Sequence, residues 1–111
     1  MNFTHVRGDT LYLSLQVTDA ETKQPVDITG WIVYFTVKEK PTDGDDQAVL
    51  QKMIIVSEGT EGKVTITCLN TEMELTPAKY YYDIQMITAQ GEVFTPIIGQ
   101  ITIVQDITHT R

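Results

Sequence analysis

The stretch Thr10-Leu-Tyr-Leu-Ser-Leu-Gln-Val-Thr18 decides the class of fold. Leu11, Leu13, Leu15 and Val17 alternate with Tyr12, Ser14 and Gln16. Successive side chains of an extended chain point to opposite faces, so four apolar positions at period two predict a half-buried strand. The rhythm returns in Trp31–Glu39, where Trp31, Val33, Phe35 and Val37 alternate with Ile32, Tyr34, Thr36 and Lys38. It returns again in Lys79–Thr88, where Tyr80, Tyr82, Ile84 and Met86 alternate with Tyr81, Asp83, Gln85 and Ile87. Lys63–Leu69 is shorter, with Val64, Ile66 and Cys68 inward, and Gln47–Val56 is apolar enough for a strand but alternates poorly. After the hairpin signal Ala89-Gln90-Gly91, Glu92–Gln105 returns as a strand. Its Pro96 and Gly99 predict an edge position or a bulge, because proline has no amide to give to a ladder.

The connections are as informative as the strands. Asp19–Pro25, Lys40–Asp46 and Ser57–Gly62 are polar, glycine- or proline-bearing turns, and Val26–Ile28 is a short extended piece between them. Asn70–Pro77 is the single candidate for a helical turn, with Thr71 as cap, Glu74 three residues on, and Met73 and Leu75 as apolar anchors. Thr, Ile and Val make 39 of 111 residues, whereas Ala supplies 4 and Leu 6. Side chains branched at Cβ suit a pleated surface better than a helix, which excludes a helical bundle. About seven strands joined by short connections predict one all-β domain over residues 1–111, an antiparallel β-sandwich, with 106–111 as a free tail.

Charge removes several classes of function. Eight basic and fifteen acidic residues give −7 at pH 7, and the scattered Lys and Arg offer no face that could neutralise phosphates. Neither nucleic acid nor an anionic membrane surface is an expected partner. No apolar run approaches the ~20 residues of a membrane helix. The opening Met1–Asp9 lacks the charged and apolar regions of a signal peptide, so synthesis in a reducing cytoplasm is expected. Cys68 is alone, which excludes an intrachain disulfide and a cysteine-based zinc site.

Catalytic and metal-binding sets are also missing. Ser14 and Ser57 are the only serines, neither in a nucleophile elbow, and no glycine-rich phosphate loop occurs. Asp43, Asp45 and Asp46 flank Gly44 without the further ligands of a calcium loop, and His5 and His109 lie in the two terminal segments with no metal spacing. Arg7-Gly8-Asp9 spells the integrin tripeptide, but Gly8 is more simply a permissive residue at the entry to the first strand, with Asp9 satisfying nearby amides. The expectation is a protein with no catalytic residues, no metal and no cofactor.

Two resemblances go further. Leu75-Thr-Pro-Ala-Lys-Tyr80-Tyr-Tyr82-Asp83 is similar to the approach to the F strand of immunoglobulin-like sandwiches, where a tyrosine after a tight corner returns its hydroxyl to upstream backbone. The resemblance implies that Tyr80 is the corner tyrosine and Tyr82 the next inward residue, where antibody domains place a cysteine. The wider one is an ordered series: Arg7-Gly-Asp-Thr10, Pro25-Val-Asp-Ile-Thr-Gly30, Val37-Lys-Glu-Lys40 before an Asp-rich loop, Gly62-Lys-Val-Thr-Ile66, Leu75-Thr-Pro77, Tyr80-Tyr-Tyr-Asp-Ile-Gln85, Gly99-Gln-Ile-Thr-Ile103 and Asp106-Ile-Thr108. Over residues 6–108 it resembles the N-terminal domain of the baseplate upper proteins of tailed bacteriophages and small related phage tail proteins. That resemblance implies an immunoglobulin-like sandwich and a structural, non-enzymatic assembly module located in the virion tail. Its implied partners are other tail or baseplate proteins or the chain itself, as trimers or hexamers. The larger members continue into a coiled coil and a receptor-binding region, which this sequence does not contain.

The residues themselves suggest where such a module would dock. If Tyr80, Tyr82, Val33 and Phe35 face the core, then Ile32, Tyr34, Tyr81 and Ile87 face outward, and Ile98 and Val104 oppose Ile97, Ile101 and Ile103. Contiguous exposed apolar area on a small domain marks a partner surface. A free edge over Ile101–Gln105 would offer a second route. The reading from a different class is a carbohydrate- or host-surface-binding module that uses outward aromatics such as Tyr34 and Tyr81.

Overall fold

A computed structural model describes residues 1–107. Seven strands follow one another: β1 (Phe3–Val6), β2 (Leu11–Gln16), β3 (Ile32–Lys38), β4 (Leu50–Ile55), β5 (Lys63–Cys68), β6 (Ala78–Ile87) and β7 (Val93–Val104). Five of them form one sheet in the order β1-β7-β6-β3-β4, and β2 pairs with β5 in the other. The fold is an all-β, immunoglobulin-like sandwich with no α-helix among the described residues.

Alternation explains why the sheets stack. Leu11 on β2 and Val64, Ile66 and Cys68 on β5 face Val33, Phe35 and Val37 on β3 and Tyr80, Tyr82, Ile84 and Met86 on β6; all are buried. Ile101 and Ile103 complete this layer from β7. Two strands cannot cover five, and the connections fill the difference with Ile28, Val56 and Met73, also buried. Trp31 and Phe94 meet edge to face at 5.7 Å at one end of the core.

Several expectations change. Phe3–Val6 is a strand, whereas the short extended piece 26–28 joins no strand ladder and instead buries Ile28 in the core, next to an isolated bridge between Thr18 and Pro25. β1 pairs with β7 in parallel, Phe3 opposite Ile101 and Val6 opposite Val104, so the sandwich is not wholly antiparallel. That pairing also removes the free edge expected at Ile101–Gln105. Pro96 sits at a bulge: Ile84 opposes Ile97 but Met86 opposes Phe94, so Gln85 faces both Thr95 and Pro96 and no ladder amide is needed from the proline.

The 70–77 segment is a turn rather than a helix. Thr71 does not cap it; the Glu72 carboxylate accepts the Leu69 amide at 2.9 Å instead, and Met73 is driven fully into the core. The described helical geometry is a 3₁₀ turn at Asp45–Gln47 within the acidic loop. Asp106 is no tail residue: its side chain is buried and lies 3.6 Å from Arg7. Gly8 turns the chain between β1 and β2 at φ +80°, a conformation that strains any residue with a Cβ. The Asp9 amide donates to Val6, and the expected capping role of Asp9 falls to no side chain there.

Candidate functional site

The outer face of the five-stranded sheet has no second layer, and register determines what it presents. Ile55 on β4, Ile32 on β3, Ile87 on β6 and Val93 on β7 are direct cross-strand partners, one beside the next. They make an uninterrupted aliphatic row across four strands. In the adjoining row Met53 lies opposite Tyr34, which lies opposite Gln85. Ile55 is 62% exposed, Val93 57% and Met53 54%, while Ile32, Tyr34 and Ile87 are half buried between them. Neighbouring strands stand about 4.8 Å apart, so the row runs roughly 14 Å across the sheet. Its exposed area is on the order of 300 Å², the size of the largest apolar patch on a typical monomer. No charged side chain belongs to either row.

Farther along the same face the surface becomes concave. Lys40–Asp46 folds back toward the sheet, where the Lys38 ammonium donates to the Asp43 carbonyl at 2.9 Å and pairs with the Asp45 carboxylate at 2.8 Å. Between that loop and β7 lies a cavity of about 260 Å³ bordered by Thr36, Lys38, Pro41, Tyr81, Asp83 and Ile98. Asp83 sits in register with Thr36 on one side and Ile98 on the other. Burial raises its carboxyl above the usual range; Lys38 opposes that shift and Asp45 adds to it. The Asp45 hydrogen bond in turn raises the Lys38 ammonium.

The six residues expected at a partner surface therefore fall in three places. Ile32, Tyr34 and Ile87 belong to the aliphatic rows. Tyr81 and Ile98, the latter 70% exposed, border the cavity. Val104 stands apart, opposite Val6 at the far corner. Met53, Ile55 and Val93, which carry the most exposed apolar surface of the rows, were missing from that set. The neighbours Ile54 and Ile55 are both apolar, so pattern alone leaves the face of β4 ambiguous. Lys52 resolves it by pointing inward to Glu72 at 3.0 Å. An inward charge on an outermost strand also hinders pairing with a further strand.

Tyr80 and Tyr82 hold the opposite face. The buried Tyr80 donates its hydroxyl to the Thr76 carbonyl at 2.6 Å, bracing the corner into β6. Tyr82 donates to the Met1 carbonyl at 2.7 Å and packs edge to face on Phe3 and Phe35. Residues 1 and 2 extend the cover on β7: the Met1 amine donates to the Ile98 carbonyl and the Gln100 amide to Asn2 Oδ1. Gly99 makes room for this crossing, since a Cβ there would collide with the Met1 carbonyl.

The reactive side chains are dispersed. Burial pushes the Cys68 thiol up to about 11, so it is neutral at physiological pH. His5 donates through Nε2 to the Asp9 carbonyl at 2.8 Å, and His109 lies outside the described residues. Asp43 accepts the Lys40 amide while Asp45 turns to Lys38, so these carboxylates do not converge. No group of three His, Cys, Asp or Glu side chains placed to hold a metal occurs among the described residues. Arg7 of the Arg-Gly-Asp tripeptide is directed at Asp106.

No protein-family model and no curated protein matches the chain. Among solved structures it is similar to the N-terminal domain of phage TP901-1 ORF48, with a TM-score of 0.47 and 7% identity, over 96% of this chain and 83% of that one.

Proposed function

We propose that this chain is a structural, non-enzymatic module of a bacteriophage or prophage tail or baseplate, docking on a neighbouring tail protein through the outer face of its five-stranded sheet. The observation that carries the docking surface is the aliphatic row Ile55–Ile32–Ile87–Val93, exposed, uncharged and in register across four strands. The ordered motifs between Arg7 and Asp106 supply the setting. At about 25 cal/mol per Å², covering a patch on the order of 300 Å² contributes roughly 7 kcal/mol. Association costs about 4–15 kcal/mol in lost freedom, so this face alone gives a weak contact. Repetition on a particle raises the effective concentration and makes such a contact sufficient. With −7 per chain, contact between copies is opposed by repulsion unless an uncharged face meets the neighbour.

Tyr34 and Tyr81 support the carbohydrate reading less well. Tyr34 lies opposite Gln85, four residues along β6 from Tyr81, which places the two rings' positions roughly 13 Å apart rather than on one platform. The test is mass spectrometry and crosslinking on purified intact particles. The protein is expected in particles or assembly intermediates, crosslinked to another tail protein. Expression during phage development with absence from both refutes the assignment.

A further inference from the structure

The cavity beside the acidic loop is separate from the aliphatic row and has a different chemistry. Tyr81, Ile98 and Pro41 give it apolar walls, and the buried Thr36 lines it as well. Two charged groups reach it. The Lys38 ammonium is already engaged by the Asp45 carboxylate and the Asp43 carbonyl. Asp83, by contrast, accepts no hydrogen bond and joins no salt bridge among the described residues; its neighbours in register are Thr36 and Ile98. A carboxylate set against apolar walls, with no hydrogen bond and only the already engaged Lys38 ammonium acting on it at a distance, is held there at a cost to the fold, and burial raises its affinity for a proton.

We propose that this cavity receives one lysine or arginine side chain of a partner protein, whose charge pairs with Asp83 while Tyr81, Ile98 and Pro41 pack on its aliphatic stem. Long cationic side chains carry this combination of apolar stem and charged head. The volume of about 260 Å³ falls below the ~300–1,000 Å³ usual for drug-sized ligands, and suits a single long side chain. Charge complementarity points the same way. Asp43, Asp45 and Asp46 at the neighbouring loop outnumber Lys38 and Lys40, and the chain as a whole carries −7. A basic segment is drawn to this rim, whereas an acidic one is turned away.

The experiment is a ¹⁵N-resolved NMR titration of the whole chain with N-acetyl-arginine methylamide and N-acetyl-lysine methylamide. N-acetyl-norleucine methylamide supplies the uncharged stem, and methyl glucoside and methyl galactoside supply sugars. The cationic probes are expected to shift the amides of Thr36, Tyr81–Asp83 and Ile98–Gly99 saturably. In Asp83→Asn the same probes should bind about tenfold more weakly, the loss of one charge-assisted contact. That variant keeps its fold, because the substitution removes a sheltered charge, and a retained spectrum verifies it. Unsaturable shifts, equal binding by Asp83→Asn, or equal response to norleucine or the glycosides would each overturn the proposal. None of these outcomes depends on whether the chain is found in phage particles.

Discussion

Replacing Tyr80 by Phe removes one hydroxyl and leaves the ring in place. The ring is only 4% exposed, and its hydroxyl donates to the Thr76 carbonyl at 2.6 Å. A buried acceptor stripped of its donor would cost about 1–3 kcal/mol, whereas the net worth of an ordinary hydrogen bond is about 0.5–1.5 kcal/mol. Thr76 itself is exposed, so water can reach its carbonyl once the hydroxyl is gone. The smaller range applies, and about 1 kcal/mol is expected. For a domain of this size that corresponds to roughly 4 °C in melting temperature. Tyr80→Ala also deletes the packed ring and should cost about 3–5 kcal/mol, so the pair of variants separates hydroxyl from ring. Urea denaturation followed by circular dichroism reads both. A Tyr80→Phe midpoint that matches the parent, at unchanged slope, would show that the hydroxyl does not brace the corner.

Gly99→Ala should push the Met1 carbonyl off β7 and lower stability by about 1–2 kcal/mol, with faster exchange of the Gln100 amide, which donates to Asn2; protection equal to the parent would refute this. Glu72 is held below its ordinary value of 4.5, first by the Leu69 amide and then by Lys52. A depressed carboxyl contributes stability that is complete above the unfolded value and disappears as pH falls through the folded one. Urea midpoints of Glu72→Gln should therefore fall less steeply than those of the parent below about pH 4.5, and parallel curves would refute the assignment. Because the acidic-loop carboxylates diverge, EDTA and millimolar calcium should leave the melting temperature alike, and a calcium-dependent rise of several degrees would contradict this.

Local alternation made the strands with one dry face legible. Leu11, Leu13 and Leu15, or Val64, Ile66 and Cys68, declare an inner side whatever they pair with. β1 was not legible, because four residues carry little pattern and its partner is 98 positions away in register, Phe3 against Ile101. Asp106 looked like tail for the same reason: Arg7, its ion-pair partner, comes from the other end of the chain. The candidate site divides along the same line. Ile32, Tyr34 and Ile87 could be placed outward by parity, but the row they form with Ile55 and Val93 exists only through register. The cavity needed more still, since Asp83 becomes a sheltered carboxylate only when the 40–46 loop folds over the sheet.

The outer aliphatic row carries the proposed docking, and its most direct test is incorporation of a charged variant into particles. Ile55→Glu with Val93→Glu places two carboxylates on positions 62% and 57% exposed, where substitutions usually change stability by less than about 0.5 kcal/mol each. Cells producing phage would carry either the parent chain or this variant, and purified particles would be quantified by mass spectrometry. The parent is expected in the particle, and the variant is expected to be folded, expressed and absent from it. Equal incorporation of the two proteins would contradict docking through this face.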